Sequence, residues 1–339
     1  MQLNGPQGMQ ILIVVTPSFN LTATTGFIDP FRAANYLEGK QLFRWSLASV
    51  AGGEVAASNG LTLCTAPLAD FASDRPDLVV VSSSWTPEAH RPPTLLAALR
   101  KWARAGVAFA GLDTGAFILA AAGLLKNRRA TCHYEHIDAL KELHEDIDVS
   151  EELFVMSPQR FTCCGGIASV DLALRVLEGE AGNALANAAA RYIFHSAVRR
   201  EGAPQNPSEL EPMGLSAPIA VRQVIALMER NLEETLSIPG ICAAIGLSQR
   251  QVSRLFDNHV GKSPVLYYRD IRLDRARGLV TQTDLPISEV AAATGFSNQM
   301  HFSKAYKERF GIPPRTDRSE GRIPFEFRAW PMHRKTDRV

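Results

Sequence analysis

The chain has 339 residues, 46% hydrophobic and 21% charged, a composition typical of globular proteins with room for two or three domains. No apolar run approaches the ~20 residues that span a bilayer, and the first residues lack the pattern of a secretory signal, so we expect neither a membrane protein nor a secreted one. Five cysteines without regular spacing favour the reducing cytoplasm.

The formal net charge of +1 hides an asymmetry along the chain. Residues 1–217 carry 17 Lys+Arg and 22 Asp+Glu, whereas residues 218–316 carry 13 and 9. A basic C-terminal part on an acidic body favours phosphate binding by one domain. The excess is modest, so charge alone does not identify a nucleic-acid partner.

Strand-like and helix-like segments alternate from residue 10 to residue 200. Short apolar or β-branched runs predict buried strands, and runs with apolar residues three or four apart predict helices. Such alternation predicts a flavodoxin-like α/β fold, in which a parallel sheet lies between two layers of helices. The predicted strands are residues 10–16, 43–49, 77–83, 107–112 and 160–165, and the predicted helices are residues 26–37, 93–106, 114–125 and 167–179.

The remaining chain has a different character. Residues 201–217 are rich in proline and glycine without periodicity, which predicts a linker after a first domain of residues 1–200. Residues 218–316 are helical by pattern and form an all-α second domain. The charged, aperiodic residues 317–339 are interpreted as a poorly ordered tail.

Two similar helix-turn-helix patterns occupy the second domain, at Leu236–Pro264 and Leu285–Pro314. Each has a short apolar helix, a glycine turn, a serine two residues later and a second helix, here called the recognition helix. Gly246 and Gly295 mark the turns, and Ser248 is a candidate cap of the first recognition helix. A recognition helix lies in the major groove of DNA and presents its first turns to base edges.

The polar residues of these first turns are the candidate DNA-binding residues. Arginine and glutamine can make bidentate contacts to guanine and adenine. The alternative is that they form merely solvated helix faces, which the presence of two copies disfavours. The candidates are Gln249, Arg250, Gln251, Ser253 and Arg254 in the first recognition helix, and Asn298, Gln299, His301 and Lys304 in the second.

A third helix, Val265–Val280, separates the two patterns. Its arginines include Arg269, Arg272 and Arg277. Contact with DNA phosphates and internal pairing with Asp270 and Asp274 are equally good interpretations.

Residues 218–316 resemble the DNA-binding domain of AraC-type transcriptional regulators. The resemblance rests on Arg272–Arg277 (RLDRAR), Ile287–Ser297 (ISEVAAATGFS) and His301–Lys307 (HFSKAYK). It implies two major-groove helices that read successive turns of one face of promoter DNA, in a protein that acts as a homodimer and contacts RNA polymerase. One departure is Asp317, which stands where the family has an aromatic residue before its final arginine.

The first domain contains a sharp strand–turn–helix around the sequence GLDTG. In hydrolases such an elbow presents a nucleophile at the end of a sheet. The elbow residue here is Asp113, His133 follows twenty residues later, and Asp29 lies near the first helix.

Residues 10–200 resemble the class I glutamine-amidotransferase-like superfamily of DJ-1/PfpI type, and specifically the sensor domains of GlxA-like regulators. The resemblance rests on Ala122–His133 and Thr162–Leu174. Catalytic members carry a cysteine, a histidine and an acid at positions that here hold Asp113, His133 and Asp29. The absence of a thiol removes covalent acyl transfer, so we expect a degenerate, non-catalytic site.

We expect this site to bind an effector. Asp113 stands at a helix N-terminus, which favours its ionised form, and at the end of a parallel sheet, where such folds bind ligands. A fixed anion attracts a small cationic amine, betaine or amino acid, and the resemblance to regulators of betaines, carnitine-like and arginine-like compounds implies the same class. The expected effector-binding residues are Asp113, His133, Asp29, Trp85 (through a cation–π contact) and Thr114.

A structural role is the alternative for three of these residues. Trp85 would be a core or surface aromatic, Asp113 a helix cap and His133 a structural contact. The loose spacing of His133, His136 and His144 does not indicate a metal site, and we expect no cofactor.

The sequence therefore predicts a cytoplasmic, effector-controlled transcriptional regulator, an activator in preference to a repressor. Two alternatives remain, an amidase-like or hydratase-like enzyme with a DNA-binding domain, and a ligand-independent DNA-binding protein.

Overall fold

The computed structural model describes residues 8–195, 198–205 and 218–320. These residues form two compact units, residues 8–205 and residues 218–320. Each unit has its own hydrophobic clusters, so each is described by itself.

An eight-stranded sheet forms the centre of the first unit. Its strand order is β3-β4-β2-β1-β5-β6-β10-β9. The six strands from β4 to β10 in this order are parallel, and the edge strands β3 and β9 are antiparallel to their neighbours. The strands are β1 (Met9–Val15), β2 (Phe43–Ser49), β3 (Gly53–Ala56), β4 (Thr62–Pro67), β5 (Leu78–Ser83), β6 (Ala108–Asp113), β9 (Phe154–Ser157) and β10 (Arg160–Cys163), while β7 (Arg129–Ala130) and β8 (Asp148–Val149) form a separate parallel pair.

Helices cover both faces of this sheet, which confirms the predicted α/β class. Alternate side chains of β1 point to opposite faces of the sheet. Ile11 and Ile13 belong to the hydrophobic cluster on one face, and Leu12 and Val14 belong to the cluster on the other. One face carries α1 (Leu21–Glu38), α5 (Ala168–Ala181) and α6 (Asn183–Tyr192), and the other carries α2 (Pro93–Arg104), α3 (Gly115–Ala121) and α4 (Ile137–Leu143).

Helix α1 begins five residues earlier than its apolar spacing predicts. Asn20 is its N-cap, and the side-chain oxygen of Asn20 accepts a hydrogen bond from the Ala23 N–H at 3.0 Å. An asparagine in this position satisfies a backbone donor that the helix leaves free, so the helix starts at the cap rather than at the first apolar residue.

Seven helices form the second unit, in agreement with the predicted all-α class. One cluster joins α7, α8, α9 and Tyr268, and another joins the later part of α10 to α11 and α12. Each helix-turn-helix therefore has its own core, and α10 contributes to both. The helices are α7 (Ile219–Arg230), α8 (Ile238–Ala244), α9 (Gln249–His259), α10 (Pro264–Gln282), α11 (Ile287–Ala293), α12 (Gln299–Phe310) and α13 (Pro314–Glu320).

Two predicted boundaries are wrong. Residues 201–205, assigned to the linker, belong to the first unit because their backbone pairs with it: Leu153 N–H donates to Ala203 O at 2.8 Å. The tail was predicted to start at residue 317, but α13 continues to Glu320 and Asp317 is fully buried. The rest of the predicted linker, 206–217, and of the predicted tail, 321–339, lie outside the described residues.

Within the described ranges, no helix combines the length and the apolar character needed to cross a bilayer.

Candidate functional site

Asp113 forms a strained elbow between β6 and α3. Its φ of 60° lies in the left-handed region, which residues other than glycine rarely adopt. Two glycines make the elbow possible. A Cβ on Gly115 would collide with the carbonyl oxygen of Val81, and a Cβ on Gly165 would lie 2.9 Å from the Asp113 Cβ. The backbone thus holds Asp113 at the carboxyl end of the sheet.

The Asp113 carboxylate is almost completely buried, with 3% of the residue exposed. Asn20 Nδ2 donates a hydrogen bond to its Oδ2 at 2.7 Å. No lysine or arginine among the described residues forms an ion pair with it. Burial raises the pKa of Asp113 above its ordinary value of 3.8, although the His133 charge and hydrogen bonds from Asn20 and Ser84 oppose that shift.

The expectation that the helix N-terminus favours ionised Asp113 therefore needs correction, because desolvation outweighs the stabilising contacts. A buried carboxylate without a cationic partner costs free energy when it ionises. A cation that arrives beside it would remove part of that cost.

His133 lies beside Asp113, as its position in the sequence suggested. The His133 N–H donates to the Asp113 carbonyl oxygen at 3.4 Å, and the side chain is 31% exposed. Its Nδ1 accepts the Glu135 N–H at 3.4 Å, and the ring lies 4.6 Å from the Tyr134 ring. His133 therefore contacts Asp113 through its backbone, and its ring is partly exposed.

Asp29 does not join this site. It lies nine residues along α1 from Asn20, or about 13 Å at 1.5 Å per residue, and pairs with Arg32 on the exposed side of the helix. The residue that α1 brings to Asp113 is its cap, Asn20. A capping asparagine after a strand is visible in the sequence, but its contact with a residue 93 positions away is not.

Thr114 and Trp85 have different positions. Thr114 is fully buried and its hydroxyl donates to the Ser84 carbonyl oxygen, so it holds α3 to the end of β5 instead of facing a ligand, contrary to our expectation. Trp85 follows β5, whose last residue, Ser83, is the register partner of Asp113. The half-buried Trp85 is therefore at the same edge of the sheet.

Two nearby thiols are unsuited to replace the missing nucleophile. Cys132 and Cys163 are fully buried. Burial raises the pKa of Cys132 and of Cys163 well above 9.0, so both stay protonated near neutral pH. The thiolate is the reactive form of cysteine.

His133, Glu135 and His136 have ligand atoms within 4.8 Å of one another. Burial lowers the pKa of His136 to about 3, so its imidazole is neutral. Histidine and carboxylate are zinc ligands, although Glu135 is exposed and His144 is not part of the group. The expectation that the protein needs no metal stays a prediction.

The last described residues of the first unit dock beside this site. The Gln205 side-chain amide donates to Thr131 Oγ1 at 2.9 Å, to the Cys132 carbonyl at 2.8 Å and to the Glu152 carbonyl at 3.1 Å. Glu152 Oε2 also accepts the Gly202 N–H at 2.9 Å. Gln205 thus fastens the start of the interdomain segment to the two residues that precede His133.

The first recognition helix, α9, begins with a capping box. Ser248 accepts the Gln251 N–H at 3.3 Å, and Gln251 Oε1 accepts the Ser248 N–H at 2.9 Å, which confirms the predicted cap. Val252 and Phe256 face the core. The candidate residues Gln249, Arg250, Gln251, Ser253 and Arg254 are all exposed, although the Gln251 side chain is engaged in the cap.

The second recognition helix, α12, starts one residue later relative to its glycine turn. Asn298, not Ser297, is the N-cap, and its Oδ1 accepts the Met300 N–H at 2.7 Å. Asn298 therefore has a capping role, and its base-reading role stays a prediction. Gln299, His301 and Lys304 are exposed as expected. Met300, in the same turn, is 76% exposed and was not among the candidates, which were all polar.

The α10 arginines are engaged within the protein. Arg272 donates to the carbonyls of Thr294 (2.7 Å) and Gly295 (2.6 Å), and its guanidinium lies 4.2 Å from the centroid of the Phe296 ring. Arg277 Nε donates to Asp317 Oδ2 at 2.9 Å. The structure favours internal partners for Arg272 and Arg277, but these are not the expected Asp270 and Asp274, which pair with Arg309 of α12.

Comparisons with known proteins agree with this two-part architecture. A family model described as the DJ-1/PfpI family matches residues 9–179, and a Helix-turn-helix domain model matches residues 241–320. The transcriptional regulator CdhR of Pseudomonas aeruginosa is 36% identical over 309 residues, which cover 90% of each chain. The chain belongs to the GlxA-like regulators of the AraC family.

A further relative supports this membership, and a solved structure shares the fold. The regulator GlxA of Rhizobium meliloti is 34% identical over 305 residues, covering 90% of this chain and 94% of GlxA. A crystal structure of an AraC family transcriptional regulator from Pseudomonas putida covers 55% of this chain and 99% of its own, with a TM-score of 0.50 and 24% identity, and shows the fold alone. The GlxA-like family thus joins a DJ-1/PfpI domain to a helix-turn-helix domain, as the sequence analysis predicted.

Proposed function

We propose that this GlxA-like regulator binds promoter DNA through α9 and α12 and responds to a small cationic effector at Asp113. The observation that carries the DNA-binding proposal is the pair of capped helices that present exposed polar residues on independent cores. Relatives named as transcriptional regulators over 90% of the chain support it.

The size of α10 suits two contacts on one face of DNA. Its 19 residues extend about 28 Å at 1.5 Å per residue, close to the ~34 Å of one turn of B-DNA. A connector of this length fits recognition helices that enter successive major grooves.

Arg250→Ala and Arg254→Ala test the DNA interface. If these arginines read guanine, each variant loses about 1–3 kcal/mol of operator binding and relaxes its base preference. Arg230→Ala, which removes an exposed positive charge from α7, is the matched control and should retain base preference. Equal losses on operator and random DNA would assign Arg250 and Arg254 to phosphates instead.

The effector proposal rests on the buried carboxylate of Asp113, which forms no ion pair with a lysine or arginine of the described residues. An ammonium or guanidinium beside it would favour ionisation, so below the folded-state pKa of Asp113 the effector would displace a proton and would bind more tightly as pH rises towards that pKa. His133 and Trp85, at the same edge of the sheet, are the proposed flanking contacts.

We also propose that the first unit is not an enzyme. The elbow presents a carboxylate, and the buried thiols of Cys132 and Cys163 are protonated. An assay for ammonia release from amides and amino acids tests this proposal, and turnover that disappears in Asp113→Asn would favour the amidase alternative.

The route from effector to DNA is proposed to pass through Gln205. This side chain joins the start of the interdomain segment to Thr131 and Cys132, next to His133. An effector can change DNA occupancy only if it favours one arrangement of the protein over another. Two arrangements, with Gln205 docked or released, would supply that difference.

The proposal includes a homodimer, in the cytoplasm where promoter DNA lies, that contacts RNA polymerase as an activator. Two linked copies on repeated half-sites gain affinity without new contacts, provided both can engage at once. Analytical ultracentrifugation with and without a two-half-site duplex tests the dimer.

A further inference from the structure

Met300 is the most exposed large apolar residue of the second unit, at 76%. It lies in the first turn of α12, whose other surface residues Gln299, His301 and Lys304 are polar. An unbranched apolar side chain with such exposure contributes little to the core. Its position on the face proposed to meet DNA suggests a contact made there.

The sequences of the two recognition helices can be aligned on their N-cap residues. Ser248 caps α9 and Asn298 caps α12. Counting from each cap, Val252 corresponds to Phe302 and Phe256 to Tyr306, and all four are buried. In this alignment Met300 occupies the position of Arg250.

We infer that Met300 recognises the methyl group of a thymine in the DNA segment under α12, which rests on the proposed DNA-binding function. The thymine methyl is the apolar group that the standard bases present in the major groove, and apolar side chains contact it. Methionine suits this contact because its flexible, polarisable thioether adapts to the methyl position.

The consequence is an asymmetric binding site. At the same helical position, α9 offers the Arg250 guanidinium, which suits guanine, whereas α12 offers a thioether, which suits thymine. One half of the recognised sequence therefore selects hydrogen-bond acceptors at this position, and the other half selects a methyl group.

Removal of single DNA methyl groups tests this inference. Binding sites are first selected from random duplexes with the full-length protein, and Arg250→Ala identifies the half that α9 reads. Each thymine of the other half is then replaced by deoxyuridine, which lacks only the methyl group. Burial of one such group is worth about 0.8 kcal/mol, so we expect about a fourfold loss of affinity at one thymine.

Met300→Ala should bind the natural duplex about fourfold more weakly and show no further loss on that uracil duplex. Met300→Leu should keep the sensitivity to uracil, and Arg250→Ala is the matched control that should also keep it. Because Met300 is exposed, these variants should retain the wild-type circular dichroism spectrum.

The possible failures are distinguishable. If selection yields no preferred sequence, the proposed DNA-binding function itself is wrong. If the protein selects a site but every thymine under α12 tolerates uracil, or Met300→Ala remains sensitive, the thymine contact is wrong and the function stands. A Met300→Ala variant with normal DNA affinity and altered self-association would assign Met300 to a protein contact and overturn the inference.

Discussion

Asp317→Ala should destabilise the second helix-turn-helix while leaving the first unit intact. The Asp317 carboxylate is fully buried, and its Oδ2 accepts hydrogen bonds from Tyr306 Oη at 2.8 Å and Arg277 Nε at 2.9 Å. These bonds join α13 to α12 and α10. Asp317 therefore holds the recognition helix α12 in place through Tyr306, which is buried.

The expected loss follows from the groups left without partners. A hydrogen bond to a charged group contributes about 1.5–3 kcal/mol, and removal of one member of a buried ion pair costs about 3–5 kcal/mol. Because Arg277 is 26% exposed and can regain water, we expect about 3 kcal/mol for Asp317→Ala. Tyr306→Phe, which removes only the hydroxyl, should cost about 1 kcal/mol.

Two spectroscopic probes separate the units. Residues 218–320 contain no tryptophan, whereas Trp45, Trp85 and Trp102 lie in the first unit. In a Trp330→Phe background, tryptophan fluorescence reports unfolding of the first unit and circular dichroism at 222 nm reports both. With a urea m-value of about 1.5 kcal/mol/M, Asp317→Ala should lower the midpoint of the helical unit by about 2 M.

The fluorescence midpoint should stay unchanged in the same variant. If the circular dichroism transition also stays unchanged, Asp317 does not hold α12, and the position of α13 as part of the DNA-binding unit is refuted. Equal shifts of both transitions would show that the two units unfold together and would contradict their independence.

Two further predictions concern the first unit. Gln205→Ala should expose residues 198–205, and amide hydrogen exchange in this segment should be about tenfold faster if the lost hydrogen bonds contribute about 1.4 kcal/mol. Arg44→Ala, a control at an exposed residue, should leave this exchange rate unchanged. An unchanged exchange rate in Gln205→Ala would remove Gln205 from the proposed route. Asp113→Asn should alter the pH dependence of stability. Burial raises the pKa of Asp113, so the wild type loses stability as pH rises from about 3.8 through the folded-state pKa. Asp113→Asn should lack that loss when thermal melting is followed by fluorescence. The same dependence of melting temperature on pH in both proteins, from pH 4.5 to 8, would contradict this prediction.

The elements that were predicted correctly depend on local patterns. Strand β2 was predicted with its observed bounds, Phe43–Ser49, because its alternation and flanking polar residues are adjacent in sequence. The edge strands β3 and β9, and β4 beside β3, were missed, since they are short and partly exposed and lack continuous apolar runs. Their existence depends on pairing partners that the local sequence does not specify.

The site was less predictable than the fold because its contacts join distant residues. Asn20 reaches Asp113 across 93 positions, and Gln205 reaches Thr131 across 74. Asp29 was chosen for its charge, but the helical rise moves it away from the elbow. Met300 was missed because the candidates for base contacts were limited to polar side chains, although Met300 lies in the first turn of α12.

Asp113 is central to the proposed function, as the group that receives a cationic effector. The most direct test is calorimetric titration of the full-length protein with glycine betaine, carnitine and arginine, each beside an uncharged analogue, in buffers of different ionisation enthalpy. We predict that one cation binds, that its binding releases a proton at pH values below the folded-state pKa of Asp113, and that Asp113→Asn loses this binding. Equal affinity for an uncharged analogue, or unchanged cation binding by Asp113→Asn, would contradict the account.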